Sequence, residues 1–143
     1  MLKNKMELSF SAKSENEAFA RVAVAAFVGR LNPTLAEIME IKTAVSEAVT
    51  NAIIHGYEGF EESDEPMVSL KCCLLDKEVL IEISDAGRGI DDIQKAREPL
   101  YTSKPEMERS GMGFTVMEEF MDDLEIDSIP GNGTSITLKK RIK

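Results

Sequence analysis

Three short segments carry the residues that could do chemistry, and the first is a pair of polar side chains. Glu47 and Asn51 lie four positions apart and therefore share one face of a predicted helix. A carboxylate and an amide oxygen on one face could serve as a general base and a metal ligand. The same spacing also fits the polar stripe of an ordinary amphipathic helix, so the pair by itself leaves both interpretations open.

Two glycine-containing segments are the other candidates. Asp85 ends an apolar strand pattern, where its carboxylate could accept a hydrogen bond from the exocyclic amine of adenine. Gly87 and Gly89 follow it and would let the backbone approach a ligand closely. Gly111 and Gly113 precede a predicted helix, whose N-terminal N–H groups and dipole favour phosphate. A surface turn and a flexible connection are the alternatives for these two segments.

Other nucleotide-binding motifs are missing from the sequence. No glycine precedes Lys-Ser or Lys-Thr, which excludes a P-loop. Asp92 and Val116 stand where a dinucleotide-binding turn needs its third small residue. The only histidine, His55, is followed by Gly56, so a His-Arg-Asp catalytic loop of the protein-kinase type is absent. The exclusion of these other motifs gives more weight to the three candidate segments.

Two helices should follow a short first strand. Alternating apolar residues at 6–10 predict the strand. Capping boxes that begin at Ser14 and Thr34 open the helices, which should end near Leu31 and Gly56. The apolar spacing of the first helix predicts a buried stripe made of Phe19, Ala23, Ala26 and Phe27.

The remaining elements complete an α+β fold. Hairpins are predicted at 68–83 and 124–138, and a short helix at 91–97. The stretch 98–113 has no periodicity and predicts a mobile lid, followed by a last helix. This order predicts a single domain over 1–143, built as a two-layer sandwich: a mostly antiparallel mixed sheet with helices on one face.

Bulk composition limits the class of protein. Of the 143 residues, 43% are hydrophobic and 30% are charged, which is typical of a folded domain. The formal net charge of −9 argues against binding to nucleic acid or to an anionic membrane surface. No signal peptide or bilayer-spanning apolar run is visible, so we expect a cytoplasmic protein. Adjacent Cys72 and Cys73 are expected to be small hydrophobes, and the basic tail at 139–143 to be solvated.

Taken in order, four segments resemble the ATP site of the gyrase, chaperone, histidine-kinase and mismatch-repair (GHKL) ATPase superfamily, which implies a Bergerat-type ATP-binding fold. These segments are 47–52, 85–90, 110–114 and 131–134, and they resemble the N box, the two glycine boxes and the closing element. Three further stretches, 51–57, 102–105 and 109–115, are similar to the anti-sigma-F factors of sporulating bacteria. That similarity extends over nearly the whole chain, with the acidic loop at 61–65 as a departure.

The resemblance implies a role for each site residue. Glu47 would polarise the attacking serine hydroxyl, and Asn51 would hold the Mg²⁺ ion that bridges the phosphates of ATP. Asp85 would select adenine, with Thr134 beside it. The other ATP-binding residues implied are Gly87, Gly89, Lys104, Arg109, Ser110, Gly111, Met112 and Gly113.

The resemblance also implies a function and partners. It indicates an ATP-dependent protein-serine kinase that sequesters a sporulation sigma factor from RNA polymerase. The kinase would phosphorylate a serine of an anti-anti-sigma protein and would form a homodimer. Glu17 and Arg21 on the first helix are the expected partner-binding residues. Two alternatives are a stress-response anti-sigma-B type kinase and a nucleotide-dependent anti-sigma binding module without phosphotransfer.

Overall fold

The computed structural model describes residues 2–97 and 113–143, and within them five strands and four α-helices form two layers. The strands are β1 (Leu2–Ser11), β2 (Met67–Leu75), β3 (Glu78–Asp85), β4 (Asp123–Ser128) and β5 (Thr134–Arg141). The helices are α1 (Glu15–Val28), α2 (Leu35–Asn51), α3 (Ile93–Ala96) and α4 (Gly113–Phe120). Two 3₁₀ turns, Gly29–Leu31 and Glu62–Asp64, and a π-helical turn, Ala52–Gly56, complete the described elements.

The sheet has the strand order β1-β2-β3-β5-β4, and every pairing within the described residues is antiparallel. Buried and more exposed residues alternate along β2, β3 and β5, so one face of the sheet is apolar and covered. The predicted α+β two-layer sandwich is confirmed, as are both hairpins. No helix in the described part of the chain is both long and apolar enough to cross a membrane.

Helix α2 begins at the predicted capping box. The Glu37 N–H donates to the Thr34 hydroxyl at 3.1 Å, and the Thr34 N–H donates to Glu37 Oε1 at 2.8 Å. Glu37 Oε2 accepts a further bond of 3.0 Å from the N–H of Lys143, which ties the end of the chain to α2. The N–H groups of Lys143 and then Thr34 hold the pKa of Glu37 below its usual value. This carboxylate therefore stabilises the fold at neutral pH, and its contribution is lost as the pH falls through that lowered pKa.

Helix α1 corrects two predictions. Ser14 precedes the helix, but its side chain makes no capping hydrogen bond. The buried stripe consists of Ala20, Val24 and Val28, whereas the side chain of Phe19 is 57% exposed. Ala23 is only partly buried, Ala26 is exposed, and Phe27 packs at the margin of the core. Apolar residues surround most of α1 beyond Glu17, so periodicity alone could not decide which face packs inward.

Lys140 also departs from expectation, because it is buried rather than solvated. It lies on the covered face of β5 and is 8% exposed. Its Nζ donates to the carbonyl oxygen of Phe120, the last residue of α4, at 2.6 Å and lies 3.3 Å from Glu40 Oε1 on α2. The ammonium group of Lys140 thus joins the sheet to α2 and to the C-terminal end of α4, where positive charge is favoured.

Replacing Lys140 with methionine should lower the free energy of unfolding by about 2 kcal/mol, because Glu40 and the Phe120 carbonyl lose their common partner in a largely buried place. Urea titration followed by circular dichroism measures the change. The matched control is Lys139→Met on the opposite face of β5, which should stay within roughly 0.5 kcal/mol of the wild type. Equal losses in the two variants would contradict the assigned role of Lys140.

Candidate functional site

Asp85 lies at the centre of the site. It is the last residue of β3, and the strand register places it between Val68 of β2 and Thr134 of β5. Its side chain is partly buried, and this burial raises the pKa of the carboxyl above its usual value. The N–H groups of Gly87 and Thr134 act in the opposite direction by donating hydrogen bonds, the one from Gly87 at 2.9 Å to Oδ1. A carboxylate has about four acceptor positions, so two donors leave capacity for a ligand.

The turn after Asp85 is fastened to the end of the α2 segment. The N–H of Arg88 donates to the carbonyl oxygen of Gly56 at 2.7 Å. A Cβ atom on Gly87 would overlap that same carbonyl, and one on Gly56 would lie 2.8 Å from the Asp85 carboxyl carbon. Gly87 must therefore be glycine for the two backbones to meet, and a side chain at Gly56 would displace the Asp85 carboxylate. The structure shows that Gly87 approaches the protein's own main chain closely, and its close approach to a ligand stays a prediction.

A tyrosine supports the same turn from the other side. The hydroxyl of Tyr57 donates to the carbonyl oxygen of Met67 at 2.6 Å and accepts from the N–H of Ala86 at 2.8 Å. The ring is buried and meets Phe60 edge to face, with 5.1 Å between ring centroids. Sequence reasoning predicted no role for Tyr57 in the site, although it belongs to the 51–57 stretch on which the resemblance rests.

The turn between β4 and β5 closes the site beside Gly89. Gly89 has a φ of 77°, and a Cβ atom on it would lie 2.5 Å from the carbonyl oxygen of Ile129. The next residue, Ile90, donates its N–H to Ser128 Oγ at 2.7 Å, and that oxygen lies 3.0 Å from Thr134 Oγ1. Thr134 is buried, pairs with Asp85 across the two strands and contacts Ser128, so it lies beside Asp85 as the resemblance implies.

Glu47 and Asn51 lie on α2, both partly buried and one helical turn apart. The α-helix ends at Asn51 and continues as the π-helical turn Ala52–Gly56, so the predicted end at Gly56 is reached with a wider last turn. A π-helical turn inserts an extra residue and is often found at functional sites. Here it connects the helix that carries Glu47 and Asn51 to the contact between Gly56 and the Asp85 turn.

The remaining predicted site residues divide into two groups. Gly113 is the first residue of α4, which packs against α2. Five predicted ATP-binding residues lie outside the described residues, as does the predicted lid apart from Gly113: Lys104, Arg109, Ser110, Gly111 and Met112.

The two predicted partner-binding residues belong to a different element. Glu17 and Arg21 lie on α1 and form an ion pair, with 3.1 Å between Arg21 Nε and Glu17 Oε2. The Arg21 side chain is 37% exposed. Part of it therefore remains accessible from outside the fold.

Comparison with known proteins identifies the family. Residues 10–140 match the family model described as the histidine kinase-like ATPase domain. The chain is 60% identical to the anti-sigma F factor of Clostridium beijerinckii over 141 residues, which cover 99% of this chain and 96% of the relative. It is 58% identical to the anti-sigma F factor of Oceanobacillus iheyensis over 143 residues, covering 99% and 94%.

Solved structures show the same fold at low sequence identity. The chain aligns with the crystal structure of the RsbU and RsbW domains of a Mycobacterium tuberculosis protein with a TM-score of 0.66 and 18% identity, covering 98% of this chain and 33% of that one. It aligns with the catalytic domain of the histidine kinase ThkA with a TM-score of 0.54 and 13% identity, covering 96% and 97%. These two matches show the fold, whereas the family model and the close relatives show that the chain belongs to the anti-sigma F factor family and has a histidine kinase-like ATPase domain.

Proposed function

We propose that this protein is an ATP-dependent protein-serine kinase that also sequesters a sporulation sigma factor in the cytoplasm. The observation that carries the proposal is the Asp85 carboxylate, partly buried at the end of β3 beside Thr134 and fastened to the end of the α2 segment. The family gives the anti-sigma role, and the site supports the nucleotide chemistry described below.

The hydrogen-bonding groups at Asp85 and Thr134 match those of adenine. The carboxylate accepts two main-chain N–H bonds and retains acceptor capacity, and its neighbour Thr134 offers a hydroxyl. The exocyclic amine of adenine is a donor that matches this acceptor, whereas guanine presents a carbonyl oxygen at the corresponding position. Two acceptors facing each other in a partly buried place leave both unsatisfied, so Asp85 selects ATP over GTP.

The residues around Asn51 fit a magnesium ion only together with phosphate. The described residues contain no group of three or more histidine, cysteine or acidic side chains arranged to hold a metal. Mg²⁺ commonly takes one or two protein ligands and completes its shell with phosphate oxygens and water, so one amide oxygen from Asn51 suffices. When bound, ATP would supply the phosphoryl group, and Mg²⁺ would neutralise charge on the phosphates.

Glu47 lies one helical turn before Asn51 and is the base of the transfer. Its carboxylate accepts the proton of the partner's serine hydroxyl as the serine oxygen forms a bond to the γ-phosphorus. The bond between that phosphorus and the β,γ-bridging oxygen breaks, and its electron pair leaves with ADP. The products are a phosphoserine on the partner, ADP and a proton on Glu47.

The proposed partners of this protein, which acts as a homodimer, are a sporulation sigma factor, which it sequesters, and an anti-anti-sigma protein, whose serine it phosphorylates. Relatives named anti-sigma F factor support a sigma-factor partner. The partly exposed Arg21, oriented by Glu17, offers a guanidinium on α1, and arginine is enriched among residues that dominate protein interfaces.

Replacing Asp85 with asparagine should weaken ATP binding by roughly 10²- to 10³-fold, because an amide donor then faces the adenine amine. Isothermal calorimetry with ATP and GTP measures the loss and the selectivity of the wild type. Asp127→Asn, an exposed carboxylate on β4, is the matched control and should bind ATP normally. Equal affinities of the wild-type protein for ATP and GTP would exclude adenine selection by Asp85.

The same substitution should not lower the stability of the nucleotide-free protein at neutral pH. Burial raises the pKa of Asp85, so the folded state retains this proton to a higher pH than the unfolded state does. Because of this difference, the free energy of unfolding of the wild type falls as the pH rises from the usual pKa of an aspartate through the raised pKa of Asp85. Asparagine carries no charge, and this part of the pH dependence of unfolding should disappear in Asp85→Asn.

Glu47→Gln should separate chemistry from binding. Nucleotide affinity should change little, whereas phosphate transfer to the anti-anti-sigma protein should slow by about 10²- to 10⁴-fold, the range for a lost general base. Asn51→Ala is the informative companion, because it should lose the magnesium-dependent part of ATP binding as well. Rapid-quench transfer with labelled ATP gives the rates, and a wild-type rate in Glu47→Gln would remove Glu47 from the mechanism.

Arg21→Ala should weaken binding of the sigma factor by roughly 1 to 3 kcal/mol, as the loss of an interface anchor does, and leave ATP affinity unchanged. Titration with each partner in the presence of ATP or ADP measures the effect. Arg30→Ala, in the 3₁₀ turn after α1, is the matched control and should bind both partners normally. Unchanged affinity of Arg21→Ala for both partners would move the binding surface away from α1.

A further inference from the structure

We propose that Tyr57 is a positioning residue for nucleotide recognition. This inference rests on the ATP-dependent function proposed above. Its hydroxyl holds the main chain of Ala86, the residue that directly follows Asp85. By fixing this point, it sets the position of the carboxylate and therefore the preference of the site for ATP over GTP.

The hydroxyl of Tyr57 has one proton and two lone pairs, and two partners determine how they are used. The proton is donated to the carbonyl oxygen of Met67 at 2.6 Å, at the start of β2. A lone pair is thereby presented to the N–H of Ala86, which donates to it at 2.8 Å. The Ala86 bond thus has a defined direction, because the Met67 carbonyl fixes the rotation of the hydroxyl.

The Tyr57 bond is one of three that hold consecutive N–H groups after the end of β3. The N–H of Ala86 donates to Tyr57, that of Gly87 to Asp85 itself, and that of Arg88 to the carbonyl oxygen of Gly56. Beyond Asp85 the sheet no longer supplies partners, since β3 ends there. Among these three bonds, the Tyr57 bond is the one nearest to Asp85 that comes from another part of the chain.

The tyrosine ring is held independently of its hydroxyl. It is 8% exposed, belongs to the hydrophobic core and contacts Phe60 edge to face. Removing only the hydroxyl should therefore preserve the packing. Ala86 is exposed, so water can reach its N–H when the hydroxyl is gone. The expected loss is one of position rather than of folding, and this separates the proposed role from a purely structural one.

The test compares Tyr57→Phe with the wild type by calorimetry with ATP and GTP and by steady-state phosphate transfer. We expect the dissociation constant for ATP to rise roughly tenfold, the size of one lost hydrogen bond, with little change for GTP. The KM for ATP should rise in parallel, and kcat at saturating ATP should be unchanged, because Glu47 and Asn51 are untouched.

Ser84→Ala is the matched control. Ser84 directly precedes Asp85, and its Oγ lies 3.1 Å from Ser135 Oγ, so this variant loses one neutral hydrogen bond next to the site but not on the Ala86 amide. ATP affinity and ATP-over-GTP selectivity should remain at wild-type values. Equal losses in Ser84→Ala and Tyr57→Phe, or equal weakening of ATP and GTP by Tyr57→Phe, would overturn the proposal.

Two further results keep the test decisive. If Tyr57→Phe does not fold, Phe60→Leu retains the hydroxyl but loosens the ring, and it should reduce ATP-over-GTP selectivity by a smaller factor; unchanged selectivity would overturn the proposal. A wild-type protein that binds no ATP would overturn the proposed kinase function and this inference together. Normal ATP binding by both wild type and Tyr57→Phe would overturn only the role of Tyr57.

Discussion

The site depends on one backbone contact, the approach of the turn after Asp85 to the carbonyl oxygen of Gly56. This contact requires Gly87 to lack a Cβ atom, which would overlap the Gly56 carbonyl, whereas a Cβ atom on Gly56 would displace the Asp85 carboxylate from its place beside the contact. It brings the end of the α2 segment, which carries Asn51, to the end of β3. The strand then contributes Asp85 and its neighbour β5 contributes Thr134, so the candidate site forms where helix and sheet meet.

Polar contacts join helix α2 and its π-helical continuation to the C-terminal segment of the chain and to the turn after Asp85. Glu37 at its first turn accepts the N–H of Lys143 at the end of the chain. Glu40, one turn later, pairs with Lys140, which also caps the end of α4. The π-helical turn Ala52–Gly56 at its other end receives the Asp85 turn. The same helix therefore anchors the scaffold and carries the residues proposed for catalysis.

Two carboxylates of this fold illustrate how environment separates scaffold from function. Glu37 receives N–H donors from Lys143 and Thr34, its pKa is lowered, and its charge stabilises the folded chain. At Asp85, burial destabilises the charged carboxylate more than the two N–H donors stabilise it. The pKa of the carboxyl is therefore raised, and the charged form lowers the stability of the folded state. A ligand that donates a hydrogen bond to this carboxylate would stabilise its charged form, which is the arrangement expected of a recognition residue.

Local sequence signals by themselves determined the hairpins, the capping box at Thr34 and the position of Asp85 at a strand end, because each depends on residues a few positions apart. The four ATP-site segments likewise identified the superfamily. Tertiary structure alone decided which face of α1 is buried, that Lys140 is buried, and that Tyr57 holds Ala86. These features depend on partners distant in sequence, 29 positions away for Tyr57 and Ala86, and the local pattern contains no information about which distant group will arrive.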